Sequence, residues 1–354
     1  MRSYSLAAPG KINLHLEIIG NRSDGYHELA MILQSIELSD IVTIAPLGTD
    51  TIRLHCNHAQ VPLNKDNLAF KAAELMVVKF PEAFAQFGGV DITIEKNLPV
   101  AAGLAGGSGN AAAVIFGLNL LWDLGLTQPQ LQELGAVIGS DVPFCIMGGT
   151  AIATGRGEKL DSLITPDQIY VVLAKYRSLS VSTAWAYQTY RQEFGSTYPA
   201  TLTSAKTKLS ATEIIKFITQ KDLEKISKSL HNDLEKVVLP AYNQVANLRQ
   251  TLETLSSFGV MMSGSGPTVF ALCNSQQQGE TIKEGLKLAL PDPDLEVWVT
   301  KFSSGGIRVI SWNNFLTPFC LLGEKRLSWM SSRKYRNYIF CLIYLNSTAQ
   351  GEIR

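Results

Sequence analysis

A glycine-rich stretch, residues 96–114, combines residue types that bind anions. It follows a β pattern at residues 90–95 and leads into an alanine-rich helix pattern, for which Ser108 or Asn110 would be a suitable N-cap. Its glycines are Gly103, Gly106, Gly107 and Gly109. Glycine permits positive φ and leaves the backbone open to a ligand, and a helix start offers free N–H groups to an anion. The stretch therefore predicts a phosphate-binding loop.

The sequence also narrows the type of phosphate loop. A Walker A loop ends in Gly-Lys-Ser or Gly-Lys-Thr, but no lysine stands between Lys96 and the helix. Residues 107–112 fit a loose dinucleotide-binding pattern, yet the preceding strand ends about a dozen residues earlier, and Asp123 falls within or at the end of the helix. A flexible glycine linker is disfavoured because a strand and a helix flank the stretch. The sequence therefore favours a phosphate-binding loop that is neither a Walker A loop nor a dinucleotide-binding loop.

A lysine near the N-terminus stands where a strand begins. Pro9-Gly10 is expected to break two strand patterns, residues 3–8 and 12–19, and Lys11 follows this break. Asn13 lies on the same face as Lys11, opposite the apolar residues of the second strand. Taken alone, a lysine at such a place is most often a solvated edge residue.

An aspartate and a polar turn are the other candidates for chemistry. Asp141 stands between a glycine that is expected to end a helix and a Val-Pro pair. Such an aspartate is commonly a cap or a turn residue. Residues 21–28 form a polar cluster that contains Tyr26 and His27, and the ordinary interpretation is a surface loop.

Composition limits the class of protein. The 354 residues suffice for two domains, and 46% apolar residues are ample for hydrophobic cores. Lys plus Arg equals Asp plus Glu at 31 each, so no overall positive charge favours nucleic acid or an anionic membrane. Five single cysteines argue against a disulfide scaffold or a zinc site. Without a signal peptide or a membrane-spanning apolar run, we expect a globular cytoplasmic protein.

The predicted strands and helices that position these residues indicate an α+β protein of two domains. Residues 1–165 are rich in strands, whereas residues 166–310 hold longer helices between strands. In the second part, an apolar stripe predicts one helix over residues 222–238, ended by Pro240. Residues 311–354 differ from both, with six basic and two acidic residues and no clear periodicity. The alternatives for this atypical extension are a disordered segment, the translation of a frameshift and a partner-binding segment. Because its pattern differs from the rest of the chain, we expect it to be dispensable for activity.

Several motifs, taken in this order, resemble the signatures of the GHMP kinases, a superfamily that includes galactokinase, homoserine kinase and mevalonate kinases. The three superfamily signatures are residues 9–13, residues 98–112 and a second glycine-serine loop, residues 263–268. Residues 24–29, 139–144 and 231–235 are similar to the branch that acts in non-mevalonate isoprenoid synthesis. The resemblance covers about residues 1–310.

The resemblance implies a GHMP kinase fold of two domains. These are an N-terminal mixed sheet with helices and a ferredoxin-like C-terminal α+β domain, with the active site in the cleft between them. It further implies that ATP and Mg²⁺ serve to phosphorylate the tertiary 2-hydroxyl of a small molecule, 4-(cytidine 5'-diphospho)-2-C-methyl-D-erythritol. Asp141 would be the general base, and Lys11 would pair with it and stabilise the developing alkoxide. We expect no nucleic-acid or membrane partner, and a monomer or a weak homodimer.

The other site residues follow from the same resemblance. On the substrate side, Asn13 and His27 would form hydrogen bonds, Tyr26 would stack on the cytosine, and Tyr187 would form a second aromatic wall. Asp141 would also contact the substrate. Ser108 would lie near Mg²⁺. ATP would be bound by Asn67, Leu68, Lys96, Pro99, Val100, Ala101, Ala102, Gly103, Leu104, Ala105, Gly106, Gly107, Ser108 and Gly109.

The glycine loop departs from the superfamily pattern. Members usually have Gly-Gly-Gly-Ser-Ser-Asn where this chain has Ala-Gly-Gly-Ser-Gly-Asn at residues 105–110. If Ala105 adopts a positive φ, the cost is on the order of 1 kcal/mol. A positive φ at Ala105 would then loosen nucleotide binding, and Gly109 leaves the loop with one hydroxyl fewer than the usual pattern.

Two alternatives stay open. One is another small-molecule GHMP kinase, for homoserine or a mevalonate derivative, which would not need the wall formed by Tyr26 and His27. The other is a non-catalytic relative that binds a nucleotide or a partner, which would have no use for both Lys11 and Asp141.

Overall fold

The computed structural model describes residues 2–166, 168–198 and 211–314. They fall within one compact unit, Met1–Phe315. The extension predicted over residues 311–354 lies outside the described residues except for its first four. The strands are β1 (Arg2–Asn21), β2 (His27–Pro46), β3 (Ile52–Cys56), β4 (Val90–Glu95), β5 (Thr150–Gly155), β6 (Lys159–Leu163), β7 (Tyr170–Tyr176), β8 (His231–Asn232), β9 (Val260–Met262), β10 (Val269–Cys273), β11 (Leu295–Lys301) and β12 (Arg308–Asn314).

The described strands form two sheets. The larger is a mixed sheet with the order β12-β1-β2-β4-β3, in which β5 and β6 extend from β2 and β8 pairs with β1. Its strands are antiparallel except for the β3–β4 and β1–β8 pairs. The smaller sheet is antiparallel, with the order β11-β7-β10-β9. Apolar side chains from both sheets share two of the hydrophobic clusters, so the sheets enclose a common core.

The predicted break at Pro9-Gly10 is wrong, because β1 continues through these residues. The pairing register of β1 with β2 shifts between Pro9 and Lys11. Such an irregularity tolerates a proline in a central strand, since one residue is left out of the hydrogen-bonding ladder. A second shift follows between Asn13 and His15. The polar side chains of β1 therefore lie on an irregular part of the sheet, where the chain can aim them at a site.

Helices cover both sheets in the described ranges. They are α1 (Leu68–Lys79), α2 (Pro81–Phe87), α3 (Gly106–Leu121), α4 (Gln128–Ile138), α5 (Val142–Met147), α6 (Thr183–Phe194), α7 (Thr212–Thr219), α8 (Leu223–Lys228), α9 (Glu235–Ala241), α10 (Asn243–Leu255) and α11 (Gln276–Ala289). None of these helices is long and apolar enough to cross a membrane.

Helix α3 is the central helix of the larger sheet's layer. Its residues are mostly apolar and buried on all sides, as is typical of a helix inside a core. At Gly117, a Cβ atom would lie 2.6 Å from Ile44 Cγ1, so glycine permits the helix to lie directly on β2. This close packing holds the C-terminal half of α3 against the sheet, while the predicted phosphate loop leads into its N-terminal end.

The single helix predicted over residues 222–238 is wrong. The chain forms α8 and α9 instead, with the short strand β8 between them, and Pro240 lies inside α9 rather than ending a helix. β8 pairs with β1, and the Asn232 amide donates to the carbonyls of Met262 and Gly264, both at 2.8 Å. These long-range hydrogen bonds replace the hydrogen bonds of a helix. The apolar stripe in the sequence could not reveal them, because it reflects only local spacing.

The last described strand returns the chain to the larger sheet. β12 pairs with β1 from Arg2 to Ala7, so residues 311–314 of the predicted extension complete a strand. The bounds predicted for the two domains, 1–165 and 166–310, stay predictions.

Candidate active site

A cavity of about 1090 Å³ opens beside β1, β2, the glycine-rich stretch and α6. Its volume is at the upper end of the range for small-molecule sites. All but one of the site residues expected from the sequence line this cavity. The exception is Gly109, where an added Cβ atom would face Pro9 O and Ala8 Cβ at 3.5 and 3.7 Å. Gly109 therefore packs α3 against β1 rather than facing a ligand.

The glycine-rich stretch is organised differently from the expectation. The expected N-caps, Ser108 and Asn110, are wrong, because α3 begins at Gly106 with Ala105 as its N-cap residue. Ala105 has φ 57° and makes no side-chain capping bond. The first turn of α3 is thus Gly-Gly-Ser-Gly, whose leading N–H groups have no partner within the helix. Together with the helix dipole, this turn offers an anion site to the cavity.

The two glycine loops contact each other next to Lys11. Gly103 has φ 72°, and a Cβ atom there would lie 2.3 Å from Ser263 O. The Ser263 hydroxyl donates to Gly103 O at 3.1 Å. A Cβ atom at Gly264 would lie 3.3 Å from both Asn13 Oδ1 and Lys11 Nζ. Three motifs that are distant in sequence therefore converge, and glycine is needed where they touch.

Lys11 is buried, with 5% of its surface exposed, so the interpretation as a solvated edge residue is wrong. Its Nζ donates to Asn13 Oδ1 at 2.7 Å, and its backbone N–H donates to Leu104 O at 3.0 Å. Lys11 thus ties β1 to the phosphate loop. Among the described residues it forms no direct ion pair with Asp141.

Asp141 occupies the N-cap position of α5, but its side chain makes no capping hydrogen bond. It is half-buried and lines the cavity. Burial and the charge of Asp141 raise the pKa of the Cys145 thiol, whereas the charge of Lys11 acts in the opposite direction. Both charges therefore lie near the same point in the structure. Both groups line the cavity.

Lys96 belongs to a buried polar network that centres on Asp40. Asp40 is fully buried, and its carboxylate pairs with Lys96 Nζ. It also accepts hydrogen bonds from the backbone N–H groups of Asn97 and Leu98, both at 2.8 Å, and from Asn110 Nδ2 at 2.9 Å. One carboxylate thus joins the start of the glycine-rich stretch to the first turns of α3.

The predicted adenine pocket lies at the start of α1. Asn67 caps this helix, because its Oδ1 accepts a hydrogen bond from Ala69 N at 2.8 Å. Its side-chain amide nitrogen donates to Pro62 O, also at 2.8 Å. Asn67 and Leu68 line the cavity with the preceding loop, which includes Val61 and Pro62. These loop residues were missed by the sequence reasoning, since they show no periodic pattern.

The residues expected to form an aromatic wall and its neighbours, Tyr26, His27 and Tyr187, also line the cavity. Tyr26 is 54% exposed, whereas His27 is buried. The ring of Tyr187 lies 5.3 Å from that of His27, measured between centroids. Burial and the positive charge of Arg191 lower the pKa of His27 to about 4, so this imidazole is neutral at pH 7.

Two arginines beside these aromatic residues were missed by the sequence reasoning. The Arg156 guanidinium lies 5.0 Å from the ring centroid of Tyr26, and Arg191 donates to Gly25 O at 2.7 Å. Arg191 follows Tyr187 by four residues on α6, so the helical spacing of this pair could have pointed to it.

The described residues contain no cluster of three or more His, Cys, Asp or Glu that could hold a metal ion. Mg²⁺ does not require such a cluster, because it usually keeps several waters and is held by substrate phosphates with one or two protein ligands. Ser108 lines the cavity in the first turn of α3 and offers a hydroxyl oxygen there. The donor set thus fits a magnesium ion that arrives with a nucleotide.

Sequence comparisons agree with this arrangement. Residues 67–149 match the family of GHMP kinases N terminal domains, and residues 214–292 match GHMP kinases C terminal. A 4-diphosphocytidyl-2-C-methyl-D-erythritol kinase of Trichormus variabilis is 60% identical over 314 residues, which cover 88% of this chain and 99% of that protein. The protein of the same name from Nostoc punctiforme is 61% identical over 315 residues, with 88% and 99% covered.

Structure comparisons point the same way. A crystal structure of 4-(cytidine 5'-diphospho)-2C-methyl-D-erythritol kinase has a TM-score of 0.66 and 29% identity, with 85% of this chain and 100% of that chain covered. A homoserine kinase from Cytophaga hutchinsonii has a TM-score of 0.65 at 17% identity, with 87% and 97% covered, and shares the fold. The expected α+β GHMP kinase fold is therefore confirmed. The chain belongs to the GHMP kinase superfamily and, within it, to the family of 4-diphosphocytidyl-2-C-methyl-D-erythritol kinases.

Proposed function

We propose that this chain transfers the γ-phosphoryl group of ATP to the tertiary 2-hydroxyl of 4-(cytidine 5'-diphospho)-2-C-methyl-D-erythritol. The observation that carries the proposal is one cavity that is lined both by a glycine-rich helix start and by the aromatic residues Tyr26 and Tyr187. Lys11 and Asp141 line the same cavity. Relatives about 60% identical over nearly their whole length carry the name of this kinase, which supports the assignment.

The helix start would serve the phosphoryl donor. Phosphoryl transfer needs mostly positioning and charge stabilisation. The N–H groups of the first turn of α3 would bind the β- and γ-phosphates, and Asn67, Leu68 and Lys96 would surround the adenine. Ser108 would hold Mg²⁺, which, when bound, neutralises charge on the phosphate oxygens.

Asp141 and Lys11 would act on the acceptor. The 2-hydroxyl oxygen forms a bond to the γ-phosphorus while the bond from that phosphorus to the β–γ bridging oxygen breaks, and ADP leaves. Asp141 accepts the hydroxyl proton. Lys11, held by Asn13 Oδ1, keeps its remaining N–H groups for the developing alkoxide and the transferred phosphoryl group.

The aromatic wall would bind the cytidine part of the acceptor. Tyr26 exposes a ring on which a base can stack, and the ring of Tyr187 lies against that of His27, the residue next to Tyr26. His27 and Asn13 would contribute hydrogen bonds.

Product analysis tests the proposal. The chain is incubated with ATP, Mg²⁺ and 4-(cytidine 5'-diphospho)-2-C-methyl-D-erythritol, and the products are identified by mass spectrometry and phosphorus NMR. We expect ADP and a monophosphorylated acceptor in equal amounts. Homoserine and mevalonate serve as competing acceptors. Faster turnover of either would refute the proposal, and so would nucleotide binding without transfer to any of the three alcohols.

A further inference from the structure

Arg191 contacts the turn that carries two of the proposed acceptor-binding residues. Its Nη2 donates to Gly25 O at 2.7 Å, and its Nε lies 3.4 Å from His27 Nε2 in hydrogen-bonding geometry. Gly25 has φ 84°, so it is a turn residue whose carbonyl a neighbour can fix. Arg191 forms no ion pair with a carboxylate among the described residues. Its charge is therefore directed to this turn rather than to a surface acid.

The contact with His27 determines which imidazole nitrogen carries the hydrogen. An arginine side chain can only donate hydrogen bonds. His27 Nε2 must therefore accept, and a neutral imidazole that accepts at Nε2 carries its hydrogen on Nδ1. A doubly protonated ring would place two donors against each other at this contact. The ring is buried and lies against Tyr187, which restricts its rotation.

We propose that Arg191 is a positioning residue of the acceptor site, which holds His27 as the neutral tautomer with hydrogen on Nδ1 and fixes the turn at Gly25. This inference rests on the proposed function for its substrate. Cytosine presents acceptors at N3 and O2, and an Nδ1–H donor of fixed direction suits such an edge. Without Arg191, His27 would exchange between tautomers, and only part of the population would donate from Nδ1.

The tautomer can be measured without any substrate. The full chain is labelled with ¹⁵N-histidine, and long-range ¹H–¹⁵N spectra at pH 7 separate the protonated from the unprotonated ring nitrogen. His27 is assigned by the loss of its signals in His27→Gln. We expect a single Nδ1–H form in the unmodified chain and an averaged mixture in Arg191→Met, which keeps the length of the side chain but removes its donors. A single Nε2–H form, or unchanged spectra in Arg191→Met, would overturn the proposal.

Steady-state kinetics test the consequence for binding. Loss of one hydrogen bond of ordinary strength corresponds to about a tenfold change. In Arg191→Met we expect KM for the cytidine diphosphate acceptor to rise about tenfold, while KM for ATP stays within twofold. Arg191→Lys, which retains a donor and a charge, should restore part of the loss. An equal rise of both KM values would indicate a general structural defect and would contradict a positioning role.

A matched control comes from the same helix. Glu193 is exposed on α6 and does not line the cavity, so Glu193→Gln should leave the spectra and both KM values unchanged. Failure of the proposed function would appear as no transfer to this acceptor by the unmodified chain, whatever the tautomer. A changed tautomer in Arg191→Met with an unchanged acceptor KM would refute the role of Arg191 in binding, although transfer itself persists.

Discussion

Ala105 holds a left-handed backbone conformation that costs an alanine free energy. Its φ is 57°, directly before the first turn of α3. Because glycine adopts this conformation without a Cβ clash, we expect Ala105→Gly to raise the free energy of unfolding by about 1 kcal/mol. The same substitution should lower KM for ATP, since the helix start is then relaxed. Urea unfolding and ATP titration of the rate measure the two effects.

The control for this substitution is Ala113→Gly. Ala113 lies inside α3, where its φ is helical and its methyl group is buried, so glycine should destabilise the protein there. A stabilising effect at both positions, or destabilisation at Ala105, would contradict the interpretation.

Asp141 provides the sharpest test of catalysis at a single residue. Its side chain makes no capping hydrogen bond, so replacement should cost the fold little. We expect Asp141→Asn to bind ATP with unchanged affinity and to reduce kcat by a factor of about 10² to 10⁴, the usual contribution of a general base. Isothermal titration and single-turnover assays separate binding from transfer. An unchanged kcat would show that another group accepts the proton.

His27 makes stability depend on pH. Its pKa is lowered to about 4 in the folded state by burial and by the charge of Arg191, from 6.5 for an ordinary histidine. The unfolded chain therefore binds a proton as the pH falls through 6.5, whereas the folded chain binds it only near 4. The contribution of His27 to the free energy of unfolding is fully present above pH 6.5 and is lost as the pH falls to 4, by an amount on the order of 3 kcal/mol.

The variant His27→Gln isolates this effect. Its free energy of unfolding should fall less between pH 7 and pH 4 than that of the unmodified chain, as measured by urea titrations at fixed pH. Equal slopes in the two proteins would mean that His27 is protonated as readily in the folded state as in the unfolded state.

At the scale of elements, Asp40 connects the parts of the nucleotide site. It accepts from the backbone at Asn97 and Leu98 and pairs with Lys96, while Asn110 reaches it from α3. In Asp40→Asn, an amide nitrogen replaces an acceptor, and Lys96 is left as a buried cation without its carboxylate. We expect a loss of stability of about 3 kcal/mol or more, together with a higher KM for ATP and an unchanged KM for the acceptor.

A second substitution can restore the lost charge from the other side of the network. Asn110 Oδ1 lies 3.4 Å from Lys96 Nζ, so Asn110→Asp in the Asp40→Asn background returns a carboxylate to Lys96. We expect the double variant to regain part of the stability and of the KM for ATP, relative to Asp40→Asn alone. Additive effects in this double-mutant cycle would show that the residues do not act as a network.

The elements that local patterns control could be predicted from the sequence. Strand β4 has the predicted position, residues 90–95, because the alternation of apolar and polar residues is a local signal. The interruption between α8 and α9 could not be predicted, since the bonds that cause it come from the distant loop at residues 262–264. The bulge at Pro9 also depends on pairing with β2.

The candidate site depends even more on the whole molecule. The residue types at Lys11 and in the glycine loop pointed to phosphate chemistry, and the resemblance supplied the acceptor side. The burial of Lys11, by contrast, results from the approach of Gly103 and Gly264, which are distant from it in sequence. Arg191 follows Tyr187 by four residues on α6, but its hydrogen bond to Gly25 O joins residues 166 positions apart in the sequence. Geometry of this kind follows only from the packing of both sheets.

At the scale of the whole molecule, β12 decides where the chain can be shortened. The larger sheet ends in this strand, whose residues 311–314 pair with residues 2–5 of β1. Among the residues that the structure describes, none that lines the cavity lies beyond Ser265. A chain that ends after Asn314 should therefore keep kcat and both KM values within about twofold, if the residues beyond it take no part in transfer.

A cut after Ile310 gives the informative contrast, because it removes four residues of β12 and exposes the edge of β1. Loss of their hydrogen bonds, each worth about 1 kcal/mol net, should lower Tm by several degrees. The KM values should stay near those of the longer chain, since β1 keeps its pairing with β2 at Lys11 and Asn13. Thermal unfolding and initial rates of both truncated chains provide the test. Equal Tm values would show that residues 311–314 add nothing to the sheet, whereas inactivity of the chain ending at Asn314 would assign a function in transfer to the residues that follow it.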